Sequence, residues 1–317
     1  MNIVFLDRKT LAGDIRLSFD QLPAVQYREY PMTSPQQVLA HARDAEVLVT
    51  NKVKLPATLL QALPRLRLVA VAATGVDHVD LDAARAANIA VTHVCDYASH
   101  SVAEHVFAML LALQRNLLRY AHATRSGAWS RADAFCLQTY PINDLAGRTL
   151  GVIGGGTLGQ AVLRLGEAFG MRGLLAERRA AVIVRPGRVA WHALLAQSDV
   201  ISLHVPLTGD TYGLIGADEI ARMPSHAVLV NTSRGGVVDE AALLAALYSG
   251  GLGGACLDVL AQEPPGADHP LLCADLPNLI ITPHVAWASH QAQRTLVDEG
   301  AGNIAAFLRG ESRNRVV

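Results

Sequence analysis

TLGVIGGGTLGQAV, residues 149–162, sets a short apolar run, a glycine-rich turn and the opening of an amphipathic helix in unbroken succession. Gly154, Gly156 and Gly159 fit the spacing G-x-G-x-x-G. Each glycine has a mechanical reason. Gly154 makes the tight turn, Gly156 lets backbone approach a pyrophosphate, and Gly159 lets helix and strand pack closely. The helix behind them offers free N–H groups and the positive end of its dipole to phosphate. Leu158, Ala161, Val162, Leu165 and Phe169 form its apolar stripe, and Gly170 supplies the stop. The following strand, expected over 173–176, leads into Glu177, 18 residues past Gly159, where a carboxylate suits the two hydroxyls of a ribose. In a chain with 26 glycines the motif alone says little. Its strand, its helix and its acid together make it a dinucleotide loop.

The same alternation runs outward in both directions. Downstream, strands are expected over 200–204, 228–231, 254–258 and 279–281, with helices over 158–169, 190–197, 217–222 and 240–249. Upstream, strands over 2–6, 47–50, 68–72 and 89–92 alternate with helices over 35–42, 56–63 and 80–87, two of them opening at proline. Continuous apolar strands separated by helices make parallel sheets covered on both faces. A long helix from Ser101 to about His122, opened by a Ser101–Glu104 capping box, stands between the two series. A last helix, from about His290 to Leu308, must pack onto something already built. The expected fold is two doubly wound parallel-sheet domains, Rossmann- and flavodoxin-like, with an interdomain cleft. Residues 1–98 plus 286–317 form the substrate-binding domain, and 99–285 the dinucleotide-binding domain.

Composition agrees with this and excludes much else. At 317 residues, about two domains are expected. A chain that is 51% hydrophobic and 17% charged is not disordered. Lys+Arg 27 against Asp+Glu 28 gives a net charge of -1, so no global field favours nucleic acid or an anionic membrane. Cys95, Cys136, Cys256 and Cys273 show no C-x-x-C spacing, which points to free thiols with neither a metal site nor a disulfide framework. MNIVFLDRKT is charged too early for a signal peptide, and the apolar stretch 102–118 is interrupted by Glu104, His105, Gln114 and Arg115. A cytoplasmic protein is expected, with no membrane or nucleic-acid partner.

Three further motifs close successive strands, where ligands bind in open α/β sheets. NTSRGG (231–236) brings Arg234, LDVLAQEP (257–264) brings Glu263, and ITPH (281–284) brings His284. They converge only if their strands are neighbours. Reduction of a 2-keto acid needs a planar cation for the carboxylate and developing oxyanion, which a guanidinium supplies. It also needs a proton donor, for which histidine is suited, and a carboxylate beside that histidine favours imidazolium and orients it.

Taken together, AVAATGVDHVDLDAARAANIAV (70–91), LGVIGGGTLGQAV (150–162), DVISLHVPLT (199–208), NTSRGGVVDEAAL (231–243), GGACLDVLAQEPP (253–265) and NLIITPHVAWAS (278–289) resemble the D-isomer-specific 2-hydroxyacid dehydrogenase family over essentially the whole chain. The ATG and PHVAWAS segments are most similar to its glycerate dehydrogenase (hydroxypyruvate reductase) branch. The resemblance implies hydride transfer between NAD(H) and a small D-2-hydroxy acid, most simply D-glycerate/hydroxypyruvate with glyoxylate as a related substrate. It implies that Arg234 binds the substrate, that His284 is the acid/base and that Glu263 orients it. Thr157 and Leu158 would meet the pyrophosphate through backbone. His204, Val205, Pro206, Thr232, Ser233, Arg234, Asp258 and His284 would line the cofactor. Lys52, Val53, Thr74 and Gly75 would line the substrate side. A homodimer is implied, with the helix from Ser101 and the loop after it as contacts. Glu177 stands where an aspartate is commoner and is followed by Arg178 and Arg179, which leaves an NADPH-preferring reductase as an alternative. A non-enzymatic, dinucleotide-sensing corepressor of the same fold is another.

Overall fold

The computed structural model describes residues 1–18 and 25–317. These divide into two compact units, Met1–Ala98 with Ala288–Val317, and Ser99–Trp287. Ala286 and Trp287, expected in the first domain, remain with the second.

In the first unit, β1 (Asn2–Phe5), β2 (Gln26–Glu29), β3 (Val47–Thr50), β4 (Leu68–Val71) and β5 (Ala90–Thr92) form a parallel sheet in the order β2-β1-β3-β4-β5 among the described residues. This is the flavodoxin-like order. β3 and β4 are buried at every position, as sheets covered on both faces require. β2 was not expected. It is an edge strand, QYRE, with three of its four residues exposed, so it carries no apolar run. Helices α1 (Val38–Ala42), α2 (Ala57–Gln61) and α3 (Leu81–Ala86) connect these strands. α1 and α2 start later than expected, because Pro35 and Pro56 lie before the first helical residues rather than among them, and α3 is one residue shorter at each end. Asp80 caps α3 by accepting from the Ala83 N–H.

The second unit holds β6 (Thr149–Ile153), β7 (Arg172–Leu175), β8 (Val200–Leu203), β9 (Val228–Asn231), β10 (Gly254–Leu257) and β11 (Leu279–Ile281). Their order is β11-β10-β9-β8-β6-β7, all parallel. β7 lies on one side of β6 and β8 on the other, so the strand order reverses there. The crevice for a ligand opens at the C-terminal end of β6. Leu194, Leu195, Ile201, Leu229, Leu243 and Leu257 lie in the buried core of this sheet.

The single long helix expected from Ser101 to His122 is instead two helices, α4 (Ser99–Gln114) and α5 (Leu117–Arg125). Asn116 separates them in the left-handed region (φ 49), which asparagine tolerates better than most residues, and its side chain donates to the Pro141 carbonyl. Ser101 does not cap. It lies inside α4, and its hydroxyl donates to the Ala286 carbonyl at 2.7 Å. The remaining helices are α6 (Thr157–Ala168), α7 (Trp191–Gln197), α8 (Ala217–Ile220), α9 (Glu240–Ser249), α10 (Pro270–Cys273) and α11 (His290–Leu308). α11 belongs to the first unit, where it packs on β4 and buries Leu296, Val297 and Ile304. Among the described residues no helix is long and apolar enough to cross a membrane.

Candidate active site

β9, β10 and β11 are neighbours, so the segments carrying Arg234, Glu263 and His284 leave the same edge of one sheet side by side. The condition for convergence is met. The first turn is folded by Asn231, buried at the end of β9. Its Oδ1 accepts from the Ser233 N–H and hydroxyl, and its Nδ2 donates to the Arg234 carbonyl at 2.9 Å. Gly235 then passes against the Leu260–Ala261 backbone, where a Cβ would collide. Only glycine lets the Arg234 turn lie on the exit of β10. Glu263 is fixed on that exit, because its Oε1 accepts from the Leu260 N–H at 3.0 Å. Its Oε2 meets His284 Nδ1 at 2.6 Å.

His284 sits in the left-handed region (φ 55). For a histidine such a backbone costs on the order of 1–3 kcal/mol and persists only where surroundings impose it. Asp258, 1% exposed, imposes it. Its carbonyl accepts from the His284 N–H at 2.8 Å. Its carboxylate accepts from the Val285 N–H, the Ala286 N–H and the Thr282 hydroxyl at 2.9, 2.8 and 2.6 Å. His105 of α4 reaches the same group, 2.9 Å from the Thr282 hydroxyl. Asp258, expected to line the cofactor, therefore turns its side chain inward to hold the histidine turn. The roles of Asn231, His105 and Thr282 were not expected from the sequence at all.

The glycine loop follows β6. A Cβ on Gly154 would strike the His204 carbonyl and one on Gly159 the Gly154 carbonyl, whereas Gly156 faces open space. No side chain caps the start of α6, which leaves its first N–H groups to a ligand. Thr232 Oγ1 and His204 Nδ1, in the same row of strand ends, are buried without a hydrogen-bond partner. Burial pushes the His204 pKa down to about 4, so the ring is neutral, and its Nε2 meets Ser202 Oγ at 2.8 Å. Val205 and Pro206 follow it on a turn closed by the Thr211 hydroxyl on the Pro206 carbonyl. An uncapped helix start, an open glycine and unpartnered buried polar atoms fit a dinucleotide.

Beyond β7 the arrangement differs from the simple expectation. Glu177 is 3% exposed and already accepts four hydrogen bonds. Oε1 takes the Arg178 N–H at 2.8 Å and Arg185 Nη2 at 2.5 Å; Oε2 takes Arg185 Nε at 2.7 Å and the Arg185 N–H at 3.1 Å. The Arg185 guanidinium holds the carboxyl well below the usual carboxylate range. Arg179, one of the two cations that left an NADPH-preferring reductase as an alternative, is paired with Glu219 at 2.9 Å. No local pattern pointed to Arg185, because no helical or strand period links positions 177 and 185. It is brought back by the pairing of Val189 with Ala176 just beyond it.

In the first unit, Asp7 is buried at the end of β1 and accepts from the Asn51 and Lys52 N–H groups and the Thr50 hydroxyl. Burial pushes its carboxyl up, although these bonds oppose the shift. The Val53 N–H goes to Thr50 Oγ1 at 3.0 Å. The backbone donors of Lys52 and Val53 are thus engaged within the fold. Thr74 and Gly75 lie on the turn after β4, where the Thr74 hydroxyl donates to the Val94 carbonyl and the Thr74 carbonyl meets His93 Nδ1 at 2.8 Å. Among the described residues no group of three His, Cys, Asp or Glu is placed to hold a metal ion.

Residues 107–286 match the family model described as D-isomer specific 2-hydroxyacid dehydrogenase, NAD binding domain. The chain belongs to the D-isomer-specific 2-hydroxyacid dehydrogenase family. It is 46% identical over 316 residues to a glycerate dehydrogenase of Methylorubrum extorquens, covering 99% of this chain and 98% of that protein. It is also similar to the D-lactate dehydrogenase of Aquifex aeolicus complexed with NAD and lactic acid, at TM-score 0.80 and 31% identity over 98% of this chain and 96% of that one. An NADPH-dependent glyoxylate/hydroxypyruvate reductase from Sinorhizobium meliloti superposes at TM-score 0.82 with 30% identity, over 100% of this chain and 97% of that one. This dehydrogenase is accordingly an oxidoreductase acting on 2-hydroxy acids with a nicotinamide dinucleotide.

Proposed function

We propose that this dehydrogenase transfers hydride between NAD(H) and D-glycerate/hydroxypyruvate, with glyoxylate as a related substrate. The observation carrying the reading is the 2.6 Å contact of His284 with Glu263 beside the Arg234 turn. The nicotinamide, when bound, supplies or accepts the hydride. With Nδ1 committed to Glu263, His284 has only Nε2 left to give a proton to the substrate carbonyl oxygen during reduction and to recover it during oxidation. Glu263 stabilises the imidazolium that exists before that transfer. Arg234 offers a planar fork to the 2-keto acid carboxylate. Gly154, Gly156, Thr157, Leu158 and Gly159 hold the pyrophosphate, and Glu177 addresses the ribose. Thr74 and Gly75 supply the substrate side. Identity of 46% to a glycerate dehydrogenase over nearly the whole length of both chains supports the choice of substrate.

The test is a panel of short 2-keto acids assayed with NADH and NADPH at 340 nm. Hydroxypyruvate should give the highest kcat/KM, with kcat of order 1–10³ per second. A clear preference for a longer or branched keto acid would overturn the substrate. Dinucleotide binding without turnover on any substrate would favour the sensing corepressor.

A cytoplasmic homodimer completes the reading. The four cysteines are unpaired thiols, in keeping with a reducing compartment. Leu117 and Leu118 on α5, with Trp129 and Phe135 after it, are exposed, Phe135 at 91%. Such a cluster suits a contact between two copies. Sedimentation equilibrium of wild type and Leu118→Glu checks it, and a wild-type monomer would overturn it.

A further inference from the structure

A carboxylate has about four acceptor positions, and those of Glu177 are all filled. Ribose hydroxyls can reach it only by displacing a donor. Two of the four donors are backbone N–H groups, and the Glu177 N–H and the Val189 N–H hold this segment along the sheet edge by bonding to the Val189 and Leu175 carbonyls. The Arg185 guanidinium, on a side chain 53% exposed, is the donor able to swing away. It remains tethered beside the site by its own N–H on Glu177 Oε2. A second cation stands close by. Arg188 Nη1 donates to the Ala176 carbonyl at 2.8 Å, and Nη2 lies 3.0 Å from where a Cβ on Gly155 would stand, over the glycine loop.

Resting on the reading of Glu177 as the group that addresses the ribose, we propose that Arg185 is the cofactor-selecting residue, and that through it the site binds NADP(H) as well as NAD(H). With NAD(H), the 2′- and 3′-hydroxyls take over acceptor positions on Glu177 as the guanidinium leaves. With NADP(H), the same guanidinium pairs with the 2′-phosphate in a charge-assisted, two-point contact, and Arg188 adds positive charge. The repulsion a bare carboxylate would exert on that phosphate is offset by the cation already paired to it. Arg178 and Arg179 are not needed for this.

The experiment is direct titration of the full chain with NADH and with NADPH, without substrate, following nicotinamide fluorescence. Wild type should bind both. Arg185→Ala should weaken NADPH tenfold or more while leaving NADH unchanged or tighter, since the competitor for Glu177 is gone. Arg185→Lys, which keeps charge without the fork, should recover part of the NADPH affinity. Unfolding temperatures of the variants report whether the loop survives. Equal weakening of both dinucleotides by Arg185→Ala would make Arg185 a structural brace and overturn the proposal, as would a wild type that binds NADH but not NADPH. Binding of neither dinucleotide would overturn the reading of the cofactor loop itself.

Discussion

The His284 N–H donates to the Asp258 carbonyl at 2.8 Å, while the Asp258 carboxylate holds the N–H groups of the next two residues. One buried acid thus fixes the backbone of the histidine by three bonds, on a turn that histidine would not adopt unaided. Asp258→Asn keeps one acceptor oxygen but sets an amide N–H₂ against a backbone N–H. Leaving a buried donor unsatisfied costs about 1–3 kcal/mol. The variant should show a lower unfolding temperature and a reduced kcat, with NADH binding retained. Unchanged kcat alongside a lower unfolding temperature would restrict Asp258 to stability.

His284→Gln removes the proposed proton donor without removing bulk or hydrogen-bonding capacity. kcat for reduction should fall about 10²-fold or more, the usual share of general acid catalysis. Glu263→Gln leaves the ring placed but takes away the carboxylate that orients it and favours the imidazolium. kcat for reduction should therefore fall, with NADH binding retained. A kcat equal to wild type would separate Glu263 from the proton transfer.

Arg234 is held by its turn, with the guanidinium touching the Ser233 carbonyl at 2.8 Å. Arg234→Lys retains charge and loses the planar fork. Charged hydrogen bonds contribute roughly 1.5–3 kcal/mol, which corresponds to at least a tenfold loss in kcat/KM for the keto acid. Kinetics equal to wild type would show that the fork is not used.

How far the sequence could be read depended on whether a signal was local. β6, β9, β11, α9 and α11 lie where the apolar runs and caps put them, because each is bounded by residues that end an element for local reasons, such as Asp239, Gly250 and Ser289. β2 escaped because an exposed edge strand needs no apolar pattern. The break at Asn116 escaped because Leu117 and Leu118 continue the apolar run through it. The strand-end residues Arg234, Glu263 and His284 were legible as motifs. The support from Asn231 is local, a turn onto Ser233 and Arg234 inside the same motif, and went unread there. That from Asp258, and the partner of Glu177, Arg185, depend on where the chain returns, which no short window of sequence shows.

Asp199, just before β8, ties the start of β6 to neighbouring side chains. It accepts from the Thr149 N–H and faces His226 Nε2, each at 2.7 Å, with Arg148 at 3.6 Å. Burial pushes its carboxyl up, but these partners outweigh that and hold it below the usual range. A depressed folded value stabilises the protein above the unfolded pKa of about 3.9, and that contribution is lost as pH falls through the folded value. Asp199→Asn should therefore lower the unfolding temperature at pH 7, with the difference from wild type narrowing below about pH 4. A difference independent of pH would mean that the charge of Asp199 is not what matters.

Glu177 decides the last prediction, through the same pair that ties it to Arg185. A carboxylate at the strand end accepts from a 2′-hydroxyl and repels a 2′-phosphate, by about 4 kcal/mol for like charges 4 Å apart near a surface before screening. Glu177→Ser removes the repulsion and at the same time frees Arg185 from its partner. Both changes act in one direction. kcat/KM with NADPH should rise relative to NADH, and most of the change should sit in the KM for the dinucleotide, because neither residue touches the reacting carbon. Part of the gain should vanish in the double variant Glu177→Ser/Arg185→Ala, which keeps the relief of repulsion but has no guanidinium to receive the phosphate. If the single substitution leaves the NADPH/NADH ratio untouched, the ribose is not addressed at this strand end. If the double variant keeps the full gain, relief of repulsion alone accounts for it and Arg185 takes no part.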